Sequence, residues 1–332
     1  MRVARIDWRK LLRNLTKASH AILLIACSAK FCGTGLQLNA QILTKEDLQK
    51  EIAVYEAASL HAETSTMSAV RAGQIWSRLG TLYQDAGRYG QSEGAFEHAM
   101  RLLTIAPVSK PDLATAIDNL GTLYMETGNV KEAEEAESKG LKIREEAGLK
   151  SELPRSWYHL ATLYLREHHF RKAREFAQRS VDAFFADANA TPEDRTGSLL
   201  VLASSLCQSH QYAEAIAKLQ SALRITTQTY GPNQYPTGFS TFLLGYAYWK
   251  SGDLARASEP MQRGSEIIGK ELGSEHPAYL IVMTQYAQFL RDEHKEDIAK
   301  AIEQQVQHKR AQLNANPAYS HTMQTMDIAA LF

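Results

Sequence analysis

The densest run of side chains able to ligate a metal or move a proton is Glu167-His168-His169. Consecutive residues on a turn do not converge readily on one ion, and no third ligand stands near them in sequence, so the run reads as a solvated turn. Cysteine occurs only as Cys27, Cys32 and Cys207. That is too sparse for a disulfide framework, and no local His/Asp pattern activates Cys207 as a nucleophile. No phosphate-binding GxxxxGK loop, GxSxG elbow or HExxH pair occurs. The residues therefore point to no enzyme, no metal and no cofactor. The chemistry they do suggest is recognition. Phe239, Phe242, Tyr246 and Trp249 follow one another at spacings of 3, 4 and 3, which puts them on one face of a helix, with Lys250 beside them. Four aromatic rings on one face would anchor a partner if exposed, or pack internally if the chain covers them.

The elements that must position these residues repeat. Leu79-Gly80-Thr81-Leu82-Tyr83 is echoed by Leu120-Gly121-Thr122-Leu123-Tyr124, by Leu160-Ala161-Thr162-Leu163-Tyr164 and by Leu202-Ala203-Ser204-Ser205-Leu206. Leu244-Gly245-Tyr246-Ala247-Tyr248 and, more loosely, Tyr286-Ala287-Gln288-Phe289-Leu290 complete the set. The small central residues 80, 121, 161, 203, 245 and 287 are spaced by 41, 40, 42, 42 and 42. Seven residues after each comes Gly87, Gly128, His168, His210, Gly252 or His294, residue types that tolerate a left-handed backbone. Five further on stands Ser92, Ala133, Ala173, Ala215, Ala257 or Ala299, small enough for two helices to approach closely. Pro111, Pro154, Pro192, Pro236 and Pro277 precede the first helices of units two to six, where proline sets the first turn at no loss. Pro260, by contrast, falls inside a second helix and is expected to bend or break it.

The pattern Trp76-x-x-Leu79-Gly80-x-x-Tyr83, then Gly87, Tyr89, Phe96 and Ala99, resembles the tetratricopeptide repeat. That family stacks hairpins of about 34 residues, and the longer period here is similar to its variant in kinesin light chains. Tyr230 to Pro236 and Gly273 to Pro277 are similar to the inter-repeat connections of that variant. Glu137 replaces the usual bulky apolar residue in unit two. The resemblance implies an all-α fold: an α-solenoid, a right-handed superhelix of about six hairpins, with capping helices at its N- and C-terminal ends.

The expected organisation is a leader over 1–40, a capping helix within 41–68, the repeat array over 69–313 and a tail over 314–332. Leu48, Ile52 and Tyr55 mark the capping helix, with Thr44 as its N-cap, and Ile298, Ile302 and Val306 line one face of the last helix. First helices of the family line a concave groove that holds peptide or protein segments. Carried over position by position, the groove residues are Arg155, Tyr158 and Arg166 in unit three, Leu200 in unit four, and Phe239, Phe242, Tyr246, Trp249 and Lys250 in unit five. Thr81, Thr122, Thr162 and Ser204 stand where relatives place the asparagine of a carboxylate clamp, so that clamp is not expected. No heptad coiled coil precedes the repeats, which argues against a kinesin light chain proper.

The charge balance of 37 basic against 37 acidic residues conceals a split. Residues 1–40 carry seven basic groups and one acid (7 − 1 = +6), so 41–332 carries −6. A mildly acidic array disfavours nucleic acid and anionic membrane surfaces. The basic start, followed by the apolar run Ala21 to Ala29, is built as an export signal and is too short to span a bilayer. Ala26-Cys27-Ser28, Gly33-Thr34-Gly35 and Leu38-Asn39-Ala40 are alternative cleavage points. Leu24-Ile25-Ala26-Cys27 also resembles a lipobox, which would place a lipid anchor on Cys27. The functional expectation is a non-enzymatic scaffold that binds a peptide or protein segment, exported to the periplasm or secreted. A cytoplasmic regulatory or sensor scaffold is the alternative, and an enzyme with a noncontiguous site a third.

Overall fold

The computed structural model describes residues 45–64, 67–106 and 109–314. They form thirteen α-helices and one 3₁₀ turn, and no strand occurs among the described residues. Helix α1 (Lys45–Thr64) precedes six antiparallel hairpins. These pair α2 (Ala69–Asp85) with α3 (Tyr89–Thr104), α4 (Lys110–Glu126) with α5 (Val130–Glu146), and α6 (Leu153–Arg166) with α7 (Phe170–Ala186). Next come α8 (Pro192–Gln208) with α9 (Tyr212–Tyr230), α10 (Tyr235–Lys250) with α11 (Leu254–Leu272), and α12 (Pro277–Asp292) with α13 (Glu296–Asn314). Each hairpin packs on the next, and first helices touch first helices, α2 with α4, α6 with α8, and α8 with α10. The result is an all-α solenoid, in which stacked neighbours share the core that a lone hairpin could not bury.

Local chemistry sets the repeat. All six turn positions adopt positive φ: Gly87, Gly128 and Gly252 at 70°, 79° and 87°, and His168, His210 and His294 at 58°, 59° and 62°. The Glu167-His168-His169 run is thereby placed on the solvent-facing turn between α6 and α7. Where the hairpin crosses, small residues let the helices meet. A Cβ on Gly245 would lie 2.7 Å from the Met261 backbone nitrogen, and one on Gly80 would lie 2.6 Å from the Phe96 ring. The helix-starting prolines sit in the first turns of α4, α6, α8, α10 and α12.

Two expectations need correction. Pro260 does not break its helix, because α11 runs unbroken from Leu254 to Leu272. Packing of Pro260 and Met261 against Gly245 holds the turn in which the proline removes one backbone bond. In α13, Ile302 and Val306 pack inward, but Ile298 is exposed and Ala299 takes the buried position at that turn. The helix rotates about 100° per residue, so a strict four-residue repeat drifts off the buried face. At the other end Ile52 is buried, with Leu48 and Tyr55 packed beside it against Leu79 and Leu82. The proposed N-cap Thr44, the leader, its cleavage points, Cys27 and the tail beyond Asn314 lie outside the described residues.

Candidate functional site

Helix α10 carries no charge before Lys250, and every residue from Pro236 to Trp249 is buried. Such a helix has a core on all its faces. Phe239, Phe242, Tyr246 and Trp249 are 0, 0, 5 and 6% exposed. The spacing that placed them on one face is realised, but the face is packed rather than open. Tyr235 stacks on Phe239 with ring centroids 5.9 Å apart, and Tyr246 meets Trp249 edge-on at 5.7 Å. Trp249 reaches the next unit, edge-on to Phe289 at 5.9 Å, and its Nε1 donates to Asp292 Oδ2 at 2.7 Å. These rings join unit five to unit six. Leu200 on α8 is likewise fully buried.

The polar members of the predicted set stand at the rim. Lys250 is exposed at the end of α10, its Nζ 3.6 Å from the Trp249 ring centroid and 5.2 Å from that of Tyr246. Burial of its stem pulls its pKa below the usual lysine value, against the opposing pull of Asp292. On α6, Arg155, Tyr158 and Arg166 are partly exposed, and Arg155 reaches Asp194 of α8 at 3.6 Å. Lys250 thus stands beside the buried aromatic rings of α10, and Arg155, Tyr158 and Arg166 stand on α6, with α8 between the two helices.

The threonines that replace the clamp asparagine turn back on their own helices. Thr81, Thr122 and Thr162 donate to the carbonyls of Ser77, Asp118 and Tyr158, at 3.2, 3.1 and 3.0 Å. Burial pushes the Cys207 thiol up to about 12, so it is protonated at neutral pH and not poised for attack.

One constellation escaped the sequence reading. Asp118, Glu137 and His159 each place a donor atom within 4.8 Å of the other two, and all three are buried. They lie 19 and 22 residues apart on three different helices, so no local motif announces them; the one signal was Glu137 at an apolar position. Arg144, also buried, lies with Nη1 2.7 Å from Asp118 Oδ2. A protein cation thus pairs with one of the three, and the four residues form a buried charged cluster.

With this geometry in hand, the chain can be set beside known proteins. The family model of the tetratricopeptide repeat matches residues 71–146 and 195–268. Among solved structures, the apo form of RapI aligns with a TM-score of 0.67 at 11% identity, over 82% of this chain and 94% of that one. The nearly identical tetratricopeptide-like repeats of a kinesin light chain from Podosopora anserina align with a TM-score of 0.51 at 20% identity, over 62% of this chain and 98% of theirs. A Rap protein complexed with Competence and Sporulation Factor aligns with a TM-score of 0.53 at 14% identity, over 97% and 95% of the two chains. Comparison with curated proteins yields no match.

Proposed function

The chain is a tetratricopeptide-repeat protein, and on that premise we propose that it is a non-enzymatic scaffold that holds a peptide or protein segment along the inner face of its first helices. The observation that carries this reading is the continuous row of α6, α8 and α10, with Arg155, Tyr158 and Arg166 partly exposed on α6 and Lys250 exposed beside the buried aromatic floor of α10. A stacked array presents such a face already formed, so a partner binds with little ordering of the scaffold. A protein of the same fold has been solved with Competence and Sporulation Factor bound, which supports a role in holding a segment. Phe239, Phe242, Tyr246 and Trp249 then act as the rigid floor that fixes the rim. Contact with the partner falls to Tyr158, Arg155, Arg166 and Lys250.

Lys250→Glu and Arg166→Glu should abolish recovery of the partner from the native cell while leaving the circular dichroism spectrum unchanged. Undiminished recovery by both folded variants would overturn the reading. The basic leader and its apolar run support a site of action outside the cytoplasm. Sequencing the N-terminus of the protein recovered from each cell fraction tests that; an intact leader in the cytosol favours the regulatory or sensor alternative.

A further inference from the structure

The apolar core of the array is interrupted. Units three to six share one buried cluster, to which unit two contributes only Met125 and Ala133 as buried members. Units one and two hold separate, smaller clusters around Leu82, Phe96 and Leu103, and unit six a further one of Leu280, Val306 and Leu313. At the break lie Asp118 of α4, Glu137 and Arg144 of α5, and His159 of α6, which are 3, 0, 2 and 3% exposed.

Four other units fill the position of Glu137 with hydrocarbon, while unit six carries Glu303 there, paired with Arg291. Glu137 stands 16 residues after Gly121, as Phe96 follows Gly80, Ala177 follows Ala161, Leu219 follows Ala203 and Met261 follows Gly245. All four of those equivalents are buried. His159 corresponds to the buried Val201 of unit four and Leu243 of unit five, two residues before the same small residue, whereas units one, two and six carry Arg78, Asn119 and Gln285 there. The seam of units two and three therefore sets Glu137 against His159 where the next two seams set Ala177 against Val201 and Leu219 against Leu243.

Their contacts tie unit two to unit three. Arg144 Nη1 donates to Ser156 Oγ of α6 at 2.9 Å, and Nε donates to Glu152 Oε2 of the 3₁₀ turn at 3.1 Å. His159 Nδ1 lies 3.3 Å from Glu137 Oε2. With His159 protonated, two carboxylates meet two cations. With His159 neutral and both acids ionised, one buried negative charge lacks compensation, a state that burial opposes strongly.

We propose that this polar seam is a proton-dependent joint, which divides the array into two cooperative segments, units one and two and units three to six, and sets how tightly they are coupled. In a stacked array each unit contacts only its neighbours, so one weak interface is enough to separate two folding units. The charges acting on Asp118 among the described residues are Glu137 and Arg144 of α5 and His159 of α6. Desolvation, and then the charge of Glu137, push its carboxyl up to about 7, against the pull of Arg144 and His159. Because the folded-state pKa lies above the unfolded one, the folded seam holds a proton that the unfolded chain releases. The stabilisation is full below about pH 4, falls as pH rises to about 7 and is level beyond, a window set by the ordinary and raised pKa values.

Hydrogen exchange followed by mass spectrometry on the full chain from pH 5 to 8, corrected for intrinsic rates, tests the joint. In the wild type, α2 to α5 should lose protection relative to α6 to α13 as pH rises. The opening constant should grow by up to about tenfold per pH unit below pH 7 for one proton. Glu137→Leu combined with His159→Val, the pair that unit four carries as Leu219 and Val201, should shrink the slope, because the charge of Glu137 is gone while Asp118 stays buried, and should bring the opening of the two segments closer together. Asp118→Asn should abolish it, leaving Arg144 on Glu152 and Ser156, and it decides the matter if the double variant does not fold. Equal, pH-independent protection on both sides of the seam, or a slope that persists in folded Asp118→Asn, would overturn the proposal.

Discussion

Glu137 illustrates how one side chain can change the character of a whole interface. A carboxylate with no exposed surface needs a cation to compensate it, and here His159 Nδ1 lies 3.3 Å from Glu137 Oε2, with the Asp118–Arg144 pair in the same cluster. Replacing a buried ionic group with hydrocarbon of similar size often stabilises a protein. Glu137→Leu with His159→Val is therefore expected to raise stability by about 1–4 kcal/mol, read as an increased urea midpoint at pH 7. His159→Val alone should lower it by about 3–5 kcal/mol, since Glu137 would then lose its partner across the seam. The unit-five rings follow the opposite logic. Because Tyr246 and Trp249 are buried, Trp249→Ala should cost about 3–5 kcal/mol of stability through the cavity and the lost bond to Asp292. Loss of binding in that variant would report unfolding rather than recognition, which is why the rim residues Lys250 and Arg166 are the informative probes.

At the scale of elements, two kinds of glycine hold the hairpins together for different reasons. Gly87 has a φ of 70° and open space where a Cβ would stand, so Gly87→Ala should cost about 1 kcal/mol, purely from the backbone. Gly245→Ala would press on the backbone of α11 and force the two helices apart, with an expected loss of about 1–3 kcal/mol. Thermal melts of the two variants, compared with the wild type, measure both losses. Pro260→Ala should stabilise α11 by up to about 3 kcal/mol by restoring a helix hydrogen bond, measured by the same melts. The turn positions were legible beforehand because φ > 0 restricts residue type locally. The continuity of α11 through Pro260 was not, since packing against Gly245 comes from another helix.

For the whole molecule, the expectation is a stack that does not unfold as one body at every pH. Trp76 lies in unit one, and Trp157 and Trp249 lie in units three and five, so the two segments carry separate reporters. Urea unfolding followed by tryptophan fluorescence, compared with circular dichroism, should give transitions that diverge at pH 8 and draw together near pH 5. Coincident transitions across that range would contradict two segments. The partner-binding role stands apart from this, because it rests on the faces of α6, α8 and α10, all on one side of the joint except for whatever units one and two add.

Period, helix type, the turn residues and the starting prolines follow from local rules: steric limits on φ, the missing N–H of proline, and the need of small residues where two helices cross. These act over a few residues and repeat six times, so the sequence alone determined an all-α array of six hairpins. It also determined that Phe239, Phe242, Tyr246 and Trp249 share a face. Whether that face meets solvent, and whether residues 118, 137, 144 and 159 meet each other, depends on how separate helices stack. Helical spacing orients a side chain about its own axis and says nothing of what stands opposite. Only the tertiary structure supplied the second wall, burying the aromatic face between units and assembling the ion network from three helices.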